Sequence, residues 1–563
     1  FMERHKKEVK APIRIIPIGG VEEIGRNMTV IEYGDEIVVI DAGIQFPEEE
    51  TPGIDFIIPN TAYLEKNKSK IKALVISHGH MDHVGAVPYL IDKLGFPTIY
   101  TTKFSKAIIK KRQDEFRHLP TLKIEEVTSS SLISLKKLKI KFFDITHTIP
   151  DAIGVIIDTP YGNIIYPGDF RIELDENSNP INTGQYQKLG KEKNLVLFLE
   201  STNAEEPGFS IPEKVVYQNL EKIVTEAKNR IIIGMFSSHI ERVIEIVKVA
   251  EEHDKKVVID GYSLKSSFEI VKALGYFNPK KDVIIPVEKI DSYLPSKIIA
   301  ICTGSQGEQN ASLMRIANKR HKHIKITKDD TVILSSSVIP GNEKGIQNLK
   351  DNLSRQGARI IHYGVASVHA SGHACQEDLK LMIKMINPKY LIPVHGNHFM
   401  LKTNADVAES IGVHRENIVV PINNGVIIEA DDEKIKMLKE SVPSNYVMVD
   451  GLGVGDIKEV VLRDRQMLSQ DGIFVMITVI DSQTGKVKNS PDIISRGFVY
   501  LKESQELLKQ TRFLIRKVVE EATGKMHPIN VDYVKENLKE RVGKFLFQKT
   551  HRRPMVLSVI IEV

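Results

Sequence analysis

From Ile13 to Glu200, short apolar runs alternate with glycine and polar turns: 13-IRIIPIGG-20, 37-IVVIDAG-43, 71-IKALVIS-77, 140-IKFFDIT-146, 163-NIIYPGD-169 and 195-LVLFLES-201. Runs of this length, bounded by turn formers, predict buried strands. The stretch 154-GVIIDTPYGNIIYPG-168 predicts a hairpin, because two β-branched runs flank a Pro-Tyr-Gly-Asn turn. After Asn203 the rhythm changes to strand, amphipathic helix, strand: 231-IIIGMF-236, 239-HIERVIEIVKVAEE-252 and 256-KVVID-260, with Val243, Ile246, Val247 and Ala250 at helical spacing. That alternation predicts a parallel sheet. Two further strands, 297-KIIAICTG-304 and 331-TVILSSS-337, end in small-residue loops at carboxyl ends, where such sheets bind ligands. From Arg359 the order strand, His-rich turn, helix, strand returns, through 359-RIIHYG-364, 376-QEDLKLMIKMI-386 and 390-YLIPVHG-396. Past Val442 a Gly-rich joint, 450-DGLGVG-455, precedes a separate α/β piece with strands 473-IFVMITVI-480 and 555-MVLSVIIEV-563 around two charged helices. No internal repeat or low-complexity tract interrupts this order.

Composition narrows the class. The chain has 563 residues, of which 42% are hydrophobic and 27% charged, so several folded domains are expected and wholesale disorder is excluded. The apolar runs fall short of the ~18 residues of a membrane span, and no signal peptide opens the sequence, so a cytoplasmic protein without membrane contact is expected. Phe1 before Met2 reads as an artificial leader residue. Two cysteines, Cys302 and Cys375, exclude a disulfide scaffold and a Cys-built zinc cluster, so a metal site must use histidine and carboxylate. A net charge of +4 is too mild to establish a polyanionic partner, although a local basic groove could hide within it.

The candidate chemistry lies in 77-SHGHMDHVGAVPYLIDKLG-95, a turn from a buried strand into a helix expected to stop at Gly95. A strand alternates its side chains, so His78 and His80 can point the same way while Asp82 and His83 diverge at the incoming helix. That divergence suits two metals, and imidazole plus carboxylate is a set that catalytic zinc and its first-row neighbours accept. A single buried histidine is more often a hydrogen-bonded core residue; four potential ligands within six positions are not. His147 and Asp169 each follow an apolar run at its carboxyl tip. They are the expected third histidine and bridging carboxylate of a two-metal site.

With His78, His80, Asp82 and His83 in an H-x-H-x-D-H pattern, the sequence resembles the metallo-β-lactamase superfamily. Beyond Glu200, 199-LESTN-203, 371-SGHA-374 and 392-IPVHG-396 resemble motifs A, B and C of the β-CASP nucleases. The stretches 301-ICTGSQGE-308, 335-SSSVIPGNEK-344, 369-HASGHACQEDL-379, 450-DGLGVGDI-457 and 551-HRRPM-555 extend the likeness to the ribonuclease J family from end to end. Met81, Ala86 and Glu200 depart from the commonest family residues without removing a ligand. The resemblance implies a metallo-β-lactamase αββα sandwich (1–203 and 359–440) interrupted by a β-CASP α/β domain (204–358), then a linker (441–455) and a small C-terminal α/β domain (456–563). It implies two Zn²⁺, with Mn²⁺ or Mg²⁺ as substitutes: one on His78, His80 and His147, the other on Asp82, His83 and His395, and Asp169 bridging. His373, kept charged by Glu200, would be the general acid; Asp82 and His395 complete the catalytic set. Ser237, Ser238, His369, Ala370, Ser371, Gly372 and His373, with 335-SSS-337, resemble a nest for the RNA end. The implied activity is 5′-to-3′ exoribonuclease, favouring a 5′-monophosphate, with endonuclease activity on single-stranded RNA in mRNA decay and rRNA maturation. Homodimers or homotetramers, and a degradation complex with a helicase, are the implied partners. The rivals are a DNA-cleaving β-CASP nuclease, which shares every metal ligand; a small-ester hydrolase, which needs neither the insert nor motif B; and a non-catalytic RNA scaffold, which would not keep all seven ligands.

Overall fold

The computed structural model describes residues 11–47, 51–339, 341–451, 453–455, 459–499, 504–524 and 529–563. Phe1 and Met2, Pro340 of the 335–344 stretch, and Leu452, Asp456 and Ile457 of the 450–457 stretch lie outside them. Two compact units emerge, Phe1–Gln45 with Ile58–Tyr446, and Phe46–Ile57 with Val447–Val563. No described helix is long and apolar enough to cross a membrane.

In the larger unit, two sheets face each other across one core. The eight-stranded sheet runs, in spatial order, Ile435–Ser441, Val426–Ala430, Ile13–Gly19, Met28–Tyr33, Glu36–Ile40, Ile71–Val75, Ile99–Thr101 and Ile124–Glu126. The six-stranded sheet runs Tyr390–Val394, Asn194–Glu200, Gly162–Tyr166, Ile153–Thr159, Lys139–Asp144 and Leu132–Ser134. Ile15, Ile31, Val38 and Val75 of the first meet Ile140, Val155, Ile164, Val196 and Ile392 of the second. Burial on both faces explains why these strands read as continuous apolar runs rather than alternating ones. The expected hairpin forms, with Ile156 opposite Ile165 and Thr159 opposite Gly162.

The third sheet shows that the middle of the chain is an insert. Strands Lys256–Asp260, Ile298–Cys302, Ile231–Met235, Thr331–Ser335 and Arg359–His362 form a five-stranded sheet, in that order and all parallel. The chain leaves the six-stranded sheet at Glu200 and re-enters it beside the same strand, Glu200 lying opposite Val394 in a parallel pair. It then completes the eight-stranded sheet through Val426–Ala430, antiparallel to Ile13–Gly19. The two-sheet sandwich is therefore built from two separated stretches with the five-stranded parallel sheet inserted between them, the order the resemblance implies.

In the smaller unit, Ile473–Ile480 pairs in parallel with Met555–Glu562 and antiparallel with Asp492–Arg496. The parallel pair needs a crossover, and helices Gln505–Thr523 and Val531–Thr550 supply it. Asn530 caps the second helix by accepting the Tyr533 amide at 3.0 Å. Phe474, Met476, Ile480 and Val556 pack against Ile515, Val519, Leu538 and Val542. The opposite face, with Leu557, Val559 and Ile561 each 42 to 45% exposed, carries aliphatic side chains to the surface.

Candidate metal centre

Every strand that carries a candidate ligand delivers it at a carboxyl end. Glu36–Ile40 and Ile71–Val75 are parallel and lead to Asp41 and to the His78–His83 turn. Gly162–Tyr166, Asn194–Glu200 and Tyr390–Val394 are parallel and lead to Asp169, Glu200 and His395. Lys139–Asp144 leads to His147.

The ligand turn is not the single helix the sequence predicts. Met81–Val84 and Val87–Leu90 are separate short helices, because the peptide groups between them bond elsewhere. The Met81, Asp82 and His83 carbonyls accept from the Ile44, Asn27 and Ala42 amides at 3.0, 3.0 and 2.8 Å, and the Ala86 amide donates to the Ala42 carbonyl at 2.8 Å. Those bonds clamp the turn to the end of the Glu36–Ile40 strand and fix where Asp82 and His83 point.

Three imidazole nitrogens converge first. His80 Nδ1 is 3.1 Å from His78 Nε2 and 3.0 Å from His147 Nε2. Asp169 Oδ2 stands 3.7 Å from His78 Nε2 and 3.9 Å from His147 Nε2. On its other side Asp169 Oδ2 is 3.1 Å from His83 Nε2, while Oδ1 is 2.8 Å from His395 Nδ1. Asp82 Oδ2 completes the second group, 3.6 Å from His83 and 3.4 Å from His395. Within each set, His78, His80, His147, Asp169 and Asp82, His83, Asp169, His395, the ligand atoms lie within 4.8 Å of one another, and Asp169 belongs to both.

The donors fit metal ions. Nitrogens about 2.0–2.1 Å from a tetrahedral zinc stand about 3.3 Å apart, close to the spacing of the first cluster. His147 Nδ1 faces the Gly372 carbonyl at 2.7 Å, which places its proton there and aims the Nε2 lone pair at the cluster. His83 is oriented likewise by Asp41, 2.8 Å from Nδ1. Burial, then the neighbouring imidazoles, holds His78 well below its usual pKa, and burial takes His80 down to about 4, so both are neutral donors. Burial alone would raise Asp169, but His395, His83 and His373 hold it well below the usual carboxylate range, so it is an anion. The buried His395 Nε2 has no hydrogen-bond partner among the described residues, a polar atom that a cation would satisfy.

His373 stands beside this cluster. Its Nδ1 is 2.7 Å from Glu200 Oε2 and 3.9 Å from Asp169 Oδ2. Glu200 is held by the Phe170 and Ala374 amides, which donate to its Oε1 at 3.0 and 3.1 Å. Burial would depress the His373 pKa, but the Glu200 and Asp169 carboxylates outweigh it and raise it. The ring is 25% exposed, so it is held and reachable at once.

The residues expected to form a phosphate nest separate into two groups. His369 and Ala370 are buried, and Arg242 occupies them, with Nη1 2.8 Å from His369 Nδ1 and Nη2 donating to the Ala370 carbonyl at 3.1 Å. Ser335 Oγ likewise donates inward, to the Val368 carbonyl at 2.6 Å. Ser371 Oγ accepts from Asn203 Nδ2 at 2.8 Å and from the His373 amide at 3.2 Å, which leaves its own proton for a ligand. Ser237 and Ser238 are partly exposed, on the turn before His239, whose ring stacks on His369 at 5.3 Å.

Several residues that build the site escape the sequence pattern. Asp41 accepts from the Ser77 amide, the Ser77 hydroxyl and the Tyr166 hydroxyl at 2.8, 2.9 and 3.1 Å while orienting His83. Asp41 and His395 both take left-handed backbone, φ 63° and 52°, a strain of about 1–3 kcal/mol each that only a constraining surround sustains. For His395 that surround is the Gly20 carbonyl, which accepts its amide at 2.6 Å, and Ser201, whose amide donates to its carbonyl at 3.3 Å.

The comparisons agree with this architecture. Residues 21–199 match a family model described as metallo-beta-lactamase superfamily, and 360–421 one described as Zn-dependent metallo-hydrolase RNA specificity domain. Residues 228–353 match the ribonuclease J beta-CASP domain and 460–563 the ribonuclease J C-terminal domain. Ribonuclease J2 of Bacillus subtilis (strain 168) is 38% identical over 561 residues, 99% of this chain and 100% of that protein. Ribonuclease J 2 of Staphylococcus aureus (strain NCTC 8325 / PS 47) is 36% identical over 558 residues, 99% of each. A crystal structure of a protein of unknown function from Enterococcus faecalis V583 shares the fold, with a TM-score of 0.52 at 16% identity, covering 76% of this chain and 100% of that one. The molecule is thus a metallo-β-lactamase-fold protein of the β-CASP kind. The chain belongs to the ribonuclease J family.

Proposed function

We propose that this protein is a metal-dependent ribonuclease that degrades single-stranded RNA from a 5′-monophosphate end and also cuts internally. The observation that carries the reading is the shared carboxylate: Asp169 lies in both ligand groups and within 3.9 Å of His373. In this reading His78, His80 and His147 hold one Zn²⁺, Asp82, His83 and His395 the other, and Asp169 both; Mn²⁺ or Mg²⁺ would serve as substitutes. Two such cations would supply a hydroxide at neutral pH and would neutralise charge on the phosphodiester's oxygens during in-line displacement.

The chain's own groups do the rest. Glu200 keeps the His373 ring charged and turned, with Nδ1–H toward the carboxylate, so that Nε2–H is the proton given to the leaving 3′ oxygen. Ser371, Gly372, Ser237 and Ser238 surround a single 5′ phosphate, while His369 and Ala370, gripped by Arg242, support that wall from beneath. A triphosphate would bring two further charged groups into a wall with donors for one. The domain limits at 203, 440 and 455 belong to the same reading, while the limit at 358 moves past His362, because Arg359–His362 is a strand of the insert's sheet; a cytoplasmic role in mRNA decay and rRNA maturation, a helicase partner, and a homodimer or homotetramer complete it. The open aliphatic face of the C-terminal sheet supports the last of these.

The deciding experiment is digestion of labelled RNA bearing a 5′-monophosphate, triphosphate or hydroxyl, beside a DNA strand of the same sequence. Fast release of mononucleotides from the monophosphate end alone is expected. Equal rates at all three ends would remove the pocket, and faster cleavage of DNA would overturn the substrate class.

A further inference from the structure

Helix Lys103–Gln113 carries Lys103, Lys106, Lys110, Lys111 and Arg112 and no acidic residue. Its apolar side reaches the metal centre: Phe104 and Ile108 lie 3.4 and 3.5 Å from where a Cβ on Gly79, between His78 and His80, would stand. It also packs against helix Tyr262–Ala273 of the insert, and the two ends of that seam repeat one arrangement. Lys103 Nζ lies 5.7 Å over the Tyr276 ring and donates to the Leu274 carbonyl at 3.0 Å. Eight residues on, about 12 Å along the helix, Lys111 Nζ lies 5.6 Å over the Tyr262 ring and donates to Ser266 Oγ.

The two tyrosines then differ. Tyr276 is spent within the protein, since its hydroxyl donates to Asp151 and its ring meets Phe104 at 6.3 Å. Tyr262 is 82% exposed, and its hydroxyl has no hydrogen-bond partner among the described residues. A lysine occupies one face of its ring and solvent the other. Lys110, exposed on the next turn, has no ion pair among the described residues, whereas Lys106 is answered by Glu126 at 3.0 Å. An aromatic ring open on one face beside uncompensated cations is what a single-stranded nucleic acid uses, bases stacking while phosphates meet lysine. A protein partner would bury the ring's edge and supply carboxylates instead; nothing apolar of comparable exposure adjoins Tyr262 on its helix, where Leu264 and Phe268 are buried.

We propose that the seam between helices Lys103–Gln113 and Tyr262–Ala273 is a track for the RNA strand outside the catalytic pocket, with Tyr262 as a base-stacking platform and Lys110 and Lys111 as phosphate contacts. This rests on the ribonuclease reading and adds to it a source of preference for long substrates. The track lies along the helix whose buried side backs the ligand turn.

The test compares a trinucleotide with an RNA of about 30 nucleotides, longer than the roughly 4 to 16 that one binding fold covers. Tyr262→Ala should raise KM for the long strand by roughly 5- to 150-fold, the worth of one stacked base, leave kcat for it unchanged and leave the trinucleotide untouched. Tyr262→Trp should restore the long-strand KM. Lys110→Ala should reduce the slope of log affinity against log salt by roughly 0.7 on the long strand. An unchanged long-strand KM in Tyr262→Ala, or equal losses on both lengths, overturns the track. Wild-type protein that cleaves neither oligonucleotide overturns the ribonuclease reading, and the track with it.

Discussion

His373 is the residue whose chemistry the geometry specifies most narrowly: it lies outside the His78, His80, His147, Asp169 group and the Asp82, His83, Asp169, His395 group, and stands with Asp169, Glu200 and His395 in a third. If it donates the proton, His373→Ala should lose about 10²- to 10⁴-fold in rate with the metal content unchanged. Glu200→Gln keeps the shape but removes the charge 2.7 Å from Nδ1. A histidine pKa raised by a carboxylate falls when that charge goes, so the protonated form is lost sooner and the alkaline limb of the pH–rate profile should move to lower pH. An RNA with a sulfur leaving group needs no proton, so it should restore His373→Ala but not Asp169→Ala; rescue of neither variant would reassign His373 to binding. At this scale the sequence was legible where ligands crowd together, as in His78 to His83, and where a polar residue ends an apolar run, as at His147 and Asp169. Asp41 ends the run 37-IVVI-40 in the same manner, so the signal was present. Its role was not, because orienting His83 depends on a neighbour 42 positions away.

At the scale of elements, the loop 369–374 reaches the metal centre with its backbone as well as with the His373 ring. Gly372 shows why the residue there has no side chain: a Cβ would lie 2.6 Å from His147 Cε1 and 2.7 Å from Thr148 Cγ2. Gly372→Ala must therefore push the loop away and stretch the 2.7 Å bond that sets the His147 ring. Loss of an orienting partner of this kind costs about 10- to 100-fold in metal affinity or activity. Metal titration followed by elemental analysis should show one of two ions weakened, with the thermal midpoint nearly unchanged; full retention of both ions would show that His147 needs no such orientation. The strands themselves were readable from their apolar runs, down to the hairpin turn at Pro160 and Tyr161. The helix after the ligand turn was not, since periodicity cannot reveal that the Asp82 and His83 carbonyls bond to Asn27 and Ala42. Arg242 was hidden for a similar reason. On its helix it reads as a solvated charge, yet it is 2% exposed and grips Glu213, Ser335, His369 and Ala370.

At the scale of the whole molecule, bulk properties said least. The balance of 77 basic against 73 acidic residues conceals a helix with five cations, because opposite charges elsewhere cancel it in the sum. The separate C-terminal piece was legible from its strands, but not the character of its second face. In Ile473–Ile480 the residues alternate buried and half-buried, yet all except Thr478 are apolar, so the pattern that normally marks a solvated face is missing. Leu557, Val559 and Ile561 on the neighbouring strand continue that surface at 42 to 45% exposure. Aliphatic area in water costs about 25 cal/mol per Å², and an apolar centre bordered by charge, here Asp492 and Arg496 on the third strand, is the make-up of a homo-oligomeric interface with a polar rim. Val559→Glu places a carboxylate in the middle of it. Since the position is solvent-facing within one chain, the fold should lose no more than about 0.5 kcal/mol. An uncompensated charge buried at an interface costs about 3–5 kcal/mol, a weakening of self-association by at least about 100-fold. Sedimentation at micromolar concentration should then show the assembly falling to monomers while cleavage of a trinucleotide continues, since the ligand groups and His373 all lie in the other unit. An unchanged mass would mean that this face is not where copies of the chain meet.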